Sequence, residues 1–196
     1  MKMPDVLDGR RVKLSKLEES HIDELWDAAK DENIWTYYTF RRMENKERFR
    51  AFIIASLNEA ASGSGYTFTI TDKASGKMRG GTSFLDINPD TRSLEIGRTW
   101  LAPNLQGSGV NYECKYLLLR FCFETLKLIR VFFKTDSNNK RSQKALEKIG
   151  AKYEGLLRNH MIREDGTFRD SVYYSIIESE WADVKKHLER CIYEND

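Results

Sequence analysis

Residues 10 to 17, Arg-Arg-Val-Lys-Leu-Ser-Lys-Leu, alternate polar and apolar, the spacing of a half-buried strand. Glu18 or Ser20 then opens a stretch in which Ile22, Leu25, Trp26 and Ala29 share one helical face. Residues 31 to 43 are dense in aromatics, Trp35, Tyr37, Tyr38 and Phe40, but follow no period, which predicts a loop. Helical spacing returns between Glu44 and Ala61, at Phe49, Phe52, Ile53 and Leu57. From Gly65 to Leu101 three β-rich runs are separated by turn chemistry at Lys73 to Gly76 and at Asn88 to Asp90, so an antiparallel meander is expected. A helix over Asn111 to Leu126 follows, its Tyr116, Leu117, Leu119, Phe121 and Phe123 too crowded for an exposed surface. Next come a short strand at 129 to 135 and a helix from Arg141 to Ile149, with Gly150 suited to the left-handed C-terminal position. Two strand-like stretches, 151 to 162 and 168 to 177, flank a turn at Arg163 to Gly166, and a helix from Trp181 closes the chain.

No repeat, low-complexity tract or linker interrupts this order, and 196 residues suit a single α/β domain, residues 1–196, that buries roughly 70% of its unfolded surface. The net charge is +2, with no dominant sign, so a direct nucleic-acid partner is not expected. Cys114, Cys122 and Cys191 have no metal-ligand spacing and read as reduced thiols; no metal is expected. The first residues lack a signal-like apolar run and no window resembles a membrane span, which makes the cytoplasm the expected compartment. Either a monomer or a homodimer is compatible with this composition.

Candidate chemistry concentrates between Trp100 and Asn111, where a strand ends in a proline-marked turn and two glycines, Gly107 and Gly109, open a helix. A helix N-terminus carries free backbone N–H groups and the positive end of the dipole, and glycines let a bulky anion approach. The plain alternative is a tight strand-to-helix turn. A P-loop would need Gly-Lys-Ser/Thr where Gly109-Val110-Asn111 stands, and a dinucleotide fingerprint would need glycine where Tyr112 stands.

The order of elements, with the strings LEIG, WLAP, GSGVN, TDSNNKRSQKALEKIGA, YEGLLR, DGTFRDSVYYSI and ESEW between Leu94 and Trp181, resembles the GNAT superfamily of N-acetyltransferases, in its RimJ and RimL branch. The resemblance implies a mixed, mostly antiparallel sheet of about seven strands splayed into a V and flanked by helices, with acetyl-CoA in the cleft as co-substrate. The pantetheine arm would pair with the strand edge at Trp100 and Leu101. The diphosphate would sit on Gln106, Gly107, Ser108, Gly109, Val110 and Asn111, though Asn104 replaces the first residue of the family's phosphate motif. Asn139 and Ser142 match its Asn-x-x-Ser pattern, where Asn139 either binds the coenzyme or caps the next helix. A local excess of four positive charges between Lys140 and Arg169 is available to the phosphates or to solvent.

Amine acetylation by a thioester needs a neutral nucleophile, a site for the oxyanion and a proton for the thiolate. The resemblance makes Glu95, the glutamate of the LEIG string, the candidate base, since in that branch it points into the cleft; the alternative is a partner of Arg98 or Arg92, and backbone N–H groups near Trp100 and Leu101 would hold the oxyanion. Many relatives place a proton-donating tyrosine where Leu146 stands, which leaves Ser142, Tyr173, Tyr174 or water for that role. No histidine is placed to activate Cys114. Trp35, Tyr37, Tyr38 and Phe40 are candidates to wall the acceptor pocket. The expected acceptor is an α-amino group of a protein or aminoacyl compound. The alternatives are a small amine such as an antibiotic or polyamine, a non-catalytic acyl-CoA sensor, and a nucleotide-dependent oxidoreductase.

Overall fold

In the computed structural model, which describes residues 1–40 and 42–193, the alternating N-terminal segment forms β2 (Val12–Lys16), with Val12 and Leu14 buried and Lys13 exposed. It folds back on β1 (Val6–Asp8), a three-residue strand too short to show a period in the sequence. Helix α1 (Ile22–Ala29) and helix α2 (Lys46–Ser62) bracket the aromatic loop; the side chain of Asn45 caps α2, and Gly63, at φ 76°, ends it. The meander is β3 (Gly65–Asp72), β4 (Lys77–Asn88) and β5 (Ser93–Leu101). Then come α3 (Val110–Arg120), β6 (Arg130–Asp136), α4 (Lys140–Lys148), β7 (Lys152–Ile162), β8 (Phe168–Ile177) and α5 (Trp181–Tyr193).

The long helix expected from Asn111 to Leu126 divides at Arg120: Phe121 to Thr125 widen into a π-turn, closed by Leu126 N–H donating to the Phe121 carbonyl at 3.0 Å. Burial almost all round α3 explains the apolar crowding. The sheet covers one side of the helix, and α5 covers another through Trp181 against Tyr116. No helix among the described residues is long and apolar enough to cross a membrane.

Eight strands form one sheet in the order β1-β2-β3-β4-β5-β6-β8-β7, β1 being the addition to the seven expected. Every neighbouring pair is antiparallel except β5 and β6. That parallel pair is short, from Ser93 opposite Arg130 to Glu95 opposite Phe132. Beyond it, β5 stays with β4 as far as Leu101 and β6 stays with β8, so the strands part and leave a V. Each face of the sheet carries its own core. Phe84, Leu94, Ile96, Val131 and Phe133 pack toward α3 and α5, while Trp100 joins Trp35, Phe49 and Ile53 beneath α1 and α2.

One buried carboxylate ties the N-terminal hairpin to α3. Glu113 accepts from the backbone N–H groups of Arg10, Arg11 and Val12 at 2.5, 2.8 and 3.0 Å. A Cβ at Gly9 would lie 2.8 Å from the same carboxyl group, so only glycine admits it.

Candidate functional site

The parting of β5 and β6 opens a cavity of about 560 Å³. At its mouth the chain leaves β5 through one 3₁₀ turn at Pro103–Leu105, and Gly107 and Gly109 adopt φ of 78° and 84°. Those angles are open to glycine and strained for other residues. A Cβ on Gly107 would meet nothing within 4 Å, so this backbone faces open space. The amides of Ser108 and Tyr112 are occupied by carbonyls of Leu105 and Gly109, but those of Gly107, Gly109 and Asn111 have no hydrogen-bond partner among the described residues. They stand at the positive end of α3. Beside them Asn111 lines the cavity with its Oδ1 buried and unpaired. Arg11 brings a guanidinium to the same place, Nη1 lying 3.3 Å from where a Cβ on Gly109 would be. Free amides, a buried acceptor and a nearby cation are the donor set that a diphosphate with an amide-bearing arm requires.

On the opposite lip Asn139 caps α4, its Oδ1 accepting from Ser142 N–H at 3.0 Å, and both residues line the cavity. Gln106 joins the two lips. Its Nε2 donates to the Leu101 carbonyl at 2.9 Å, and its Oε1 accepts from Arg141 at 2.6 Å.

Glu95 lies at the apex of the V, 2% exposed. Lys134 Nζ, from β6, is 2.8 Å from Oε2, but the contact lacks hydrogen-bond geometry and leaves that oxygen without a hydrogen-bond partner. Lys134 also donates to Asp86 at 3.0 Å. Burial dominates over the lysine's attraction and pushes the Glu95 carboxyl up to about 6. Gly97 makes room for it: a Cβ there would come within 2.5 Å of Oε1. A carboxyl group so placed can accept a proton near neutral pH.

Past Glu95 the cavity runs between the aromatic loop and the β7–β8 hairpin. Tyr37, Tyr38 and Thr39 form one wall, and Met161 and Arg169 the other. The Tyr38 hydroxyl and Arg169 Nε are both buried without partners, and burial holds the Tyr38 hydroxyl well above its usual range. The walls meet where Glu164 N–H donates to the Thr39 carbonyl at 3.1 Å and Arg48 pairs with Glu164.

A family model described as an acetyltransferase (GNAT) domain matches residues 11–152. The chain belongs to the GNAT acetyltransferase family. Its relatives include the "Putative ribosomal N-acetyltransferase YdaF" of Bacillus subtilis strain 168, 32% identical over 110 residues, which are 56% of this chain and 59% of that protein. The uncharacterized N-acetyltransferase p20 of Bacillus licheniformis is 26% identical over 91% of the chain and 99% of its own length. Among solved structures, a "putative acetyltransferase" of T. thermophilus superposes with a TM-score of 0.90 at 35% identity, covering 98% of this chain and all of the other. GNAT acetyltransferases take their acetyl group from acetyl-CoA, and the splayed sheet of this acetyltransferase is the fold that family shares.

The residues singled out in the sequence divide into three groups. Trp100, Leu101, Gln106, Gly107, Asn111, Asn139 and Ser142 line one cavity with Glu95, as do Tyr37 and Tyr38. Ser108, Gly109 and Val110 do not line it, though the amide of Gly109 is free. The Ser108 hydroxyl donates to the Leu105 carbonyl at 2.7 Å, and the Val110 side chain enters the core. Trp35 and Phe40 are also withdrawn. Trp35 is fully buried, its Nε1 donating to the Ala29 carbonyl at 2.7 Å, and Phe40 packs on it, so these two stand behind the cavity wall rather than line it. Arg98 is spent on Glu59 rather than on Glu95. Tyr174 donates to Glu147 at 2.9 Å, outside the cavity, and Tyr173 stacks on Phe132. Cys114 is buried, and burial pushes its thiol up to about 12 against a smaller opposing pull from Lys115.

Sequence reasoning missed Lys115 and Lys134, and offered Arg169 only as one of a basic group available to phosphates or to solvent; it lies in the cavity wall with Met161. One signal was present: Lys115 follows Asn111 by four residues and therefore shares its helical face, inside an otherwise apolar stretch.

Proposed function

We propose that this chain transfers the acetyl group of acetyl-CoA to an amine by direct attack in a ternary complex, with an α-amino group as the acceptor. The observation that carries the reading is the continuity of the cavity from the free amides of Gly107 and Asn111, along the unpaired edge of β5, to Glu95. The first amides and Arg11 hold the diphosphate, and Asn111 accepts from an arm amide. Glu95 removes the proton of the attacking amine. An α-amine, with a pKa of about 7.7 to 8.0, suits a base that ionises near 6 better than a lysine amine at about 10.4. The name of YdaF, a ribosomal N-acetyltransferase, supports a protein N-terminus as the acceptor.

A small amine is the second reading, favoured by the bridge between Thr39 and Glu164, which closes one end of the acceptor side. A panel of N-terminal peptides and small amines, assayed for free thiol released from acetyl-CoA, separates the two. Turnover restricted to peptides supports the first reading and turnover restricted to small amines the second. Tight acetyl-CoA binding with no thiol release from any amine would leave a sensor in place of an enzyme.

A further inference from the structure

Lys115 is a charged group in the cleft that the transfer described above does not use. Its side chain is 4% exposed and reaches from α3 into the gap of the V, where its Nζ donates to Thr99 Oγ1 on β5 at 2.6 Å and lies 5.9 Å from the centre of the Phe133 ring on β6. An ammonium has three protons to donate. Thr99 takes one, its own hydroxyl also meeting Thr82 at 2.8 Å, and no carboxylate lies within ion-pair distance of Nζ among the described residues. A buried cation with one neutral partner is costly, and a methionine would fill the same space without that penalty. Lys115 lines the cavity, and Thr99 leaves it two protons to donate.

We propose that Lys115 is a catalytic acid of this acetyl transfer, its ammonium meeting the departing sulfur and giving it a proton. The inference rests on the acetyl-CoA reading above. With the diphosphate at Gly107 to Asn111 and the reacting carbonyl near Glu95, the arm runs back along β5, and Thr99 lies between the two ends. The sulfur thus leaves into the region that Nζ faces. Leu146, on the opposite lip, has no proton to offer. In the step itself the amine nitrogen bonds to the carbonyl carbon and the carbon–sulfur bond breaks. Sulfur keeps the electron pair and takes a proton from Lys115, while Glu95 takes one from the amine. After the products leave, the proton on Glu95 returns to Lys115 through solvent, so the enzyme is restored.

The acidity fits the task. Burial lowers the Lys115 ammonium to about 8, close to a thiol's own value near 8.5, where proton transfer between them is nearly balanced. The titratable groups that face it are few. Cys114, on its own helix, stays a neutral thiol; Glu95 on β5 favours the ammonium; Lys134 on β6 is engaged by Glu95 and Asp86.

The test titrates reduced coenzyme A, bound to the wild type and to Lys115→Met, by the ultraviolet absorbance of its thiolate across the thiol range, about pH 6 to 10. The bound thiol should ionise at least tenfold more readily on the wild type than free in solution, and should lose that advantage on the variant. Lys115→Arg should restore it, because a guanidinium also stabilises the thiolate. In turnover, Lys115→Met should lower kcat by about 10²-fold or more with the KM for acetyl-CoA within a few fold, and Lys115→Arg, which cannot give up its proton, should not recover it. The melting temperature of Lys115→Met should equal or exceed the wild type's, whereas a lysine present only for packing would leave a less stable protein. Coenzyme A bound equally to both proteins with the same thiol titration overturns the role of Lys115 alone. Failure of the wild type to bind coenzyme A would instead remove the acetyl-transfer reading, and this inference with it.

Discussion

Glu95 is nearly out of water, and Lys134 only partly compensates, so its carboxyl group holds a proton to about pH 6 rather than 4.5. Two consequences have opposite signs. In the role of base proposed above it works only when ionised, so kcat/KM should climb as pH rises through about 6. As a buried acid with a raised folded-state value, it contributes stability that is complete below about 4.5 and is lost as pH rises through about 6. Glu95→Gln should therefore cut kcat by ~10²- to 10⁴-fold while melting at the same or a higher temperature than the wild type at neutral pH. Gly97→Ala should reproduce the loss in kcat with an intact glutamate, because its Cβ would displace the carboxylate; isothermal titration should find acetyl-CoA affinity within a few fold. Glu95 was legible in the sequence because the LEIG string marks it. Its partner was not, since a strand read by itself offers only Arg92 and Arg98, whereas Lys134 arrives from β6 at the point where the sheet divides.

Among the elements, α3 does the most. Its first turn presents the free amides, its second carries Lys115, and Glu113 between them anchors the β1–β2 hairpin through three backbone N–H groups. Glu113→Ala would take the shared acceptor from those three donors, at about 1 to 3 kcal/mol for each group left buried, Val12 N–H first among them. The melting temperature should fall by several degrees or more, and amide exchange in residues 9 to 14 should quicken before exchange in β4 and β5; unchanged protection there would show that the hairpin holds itself. The order of helices and strands was readable from periodicity, down to the left-handed Gly150, at φ 88°. What periodicity could not convey was β1, three residues long, and the π-turn after Arg120, because widening the helix by one residue leaves the buried residues looking like one unbroken run. The same limit hid the inward turn of Trp35 and Phe40. An aperiodic aromatic loop states that rings are packed without saying which ones reach the cavity.

At the scale of the whole molecule, the donor and acceptor sides of the cleft are mechanically joined. Asp136, at the end of β6, accepts from Asn138 N–H at 2.9 Å through one oxygen and from Arg163 Nη2 at 2.6 Å through the other, so the start of α4 and the β7–β8 turn share one buried carboxylate. Arg163 also donates to the Phe168 carbonyl, and the next residue, Glu164, holds Thr39 and Arg48. A chain of contacts thus runs from the cap of α4, through the turn, to the loop that carries Tyr37 and Tyr38. Arg163→Met removes the middle link and leaves Asp136 buried without its cation, a loss of about 3 to 5 kcal/mol. The loss should not be confined to stability. With the turn released, the acceptor wall loses its tie at Thr39, so the KM for the amine should rise. The Asn139 cap next to Asp136 should loosen as well, weakening acetyl-CoA. Asp136→Asn combined with Arg163→Met should cost less than the two single changes together, because the double variant has no unpaired charge to bury. Additive losses in the double variant, or an acceptor KM untouched in the single one, would show that the two sides of the cleft are held independently.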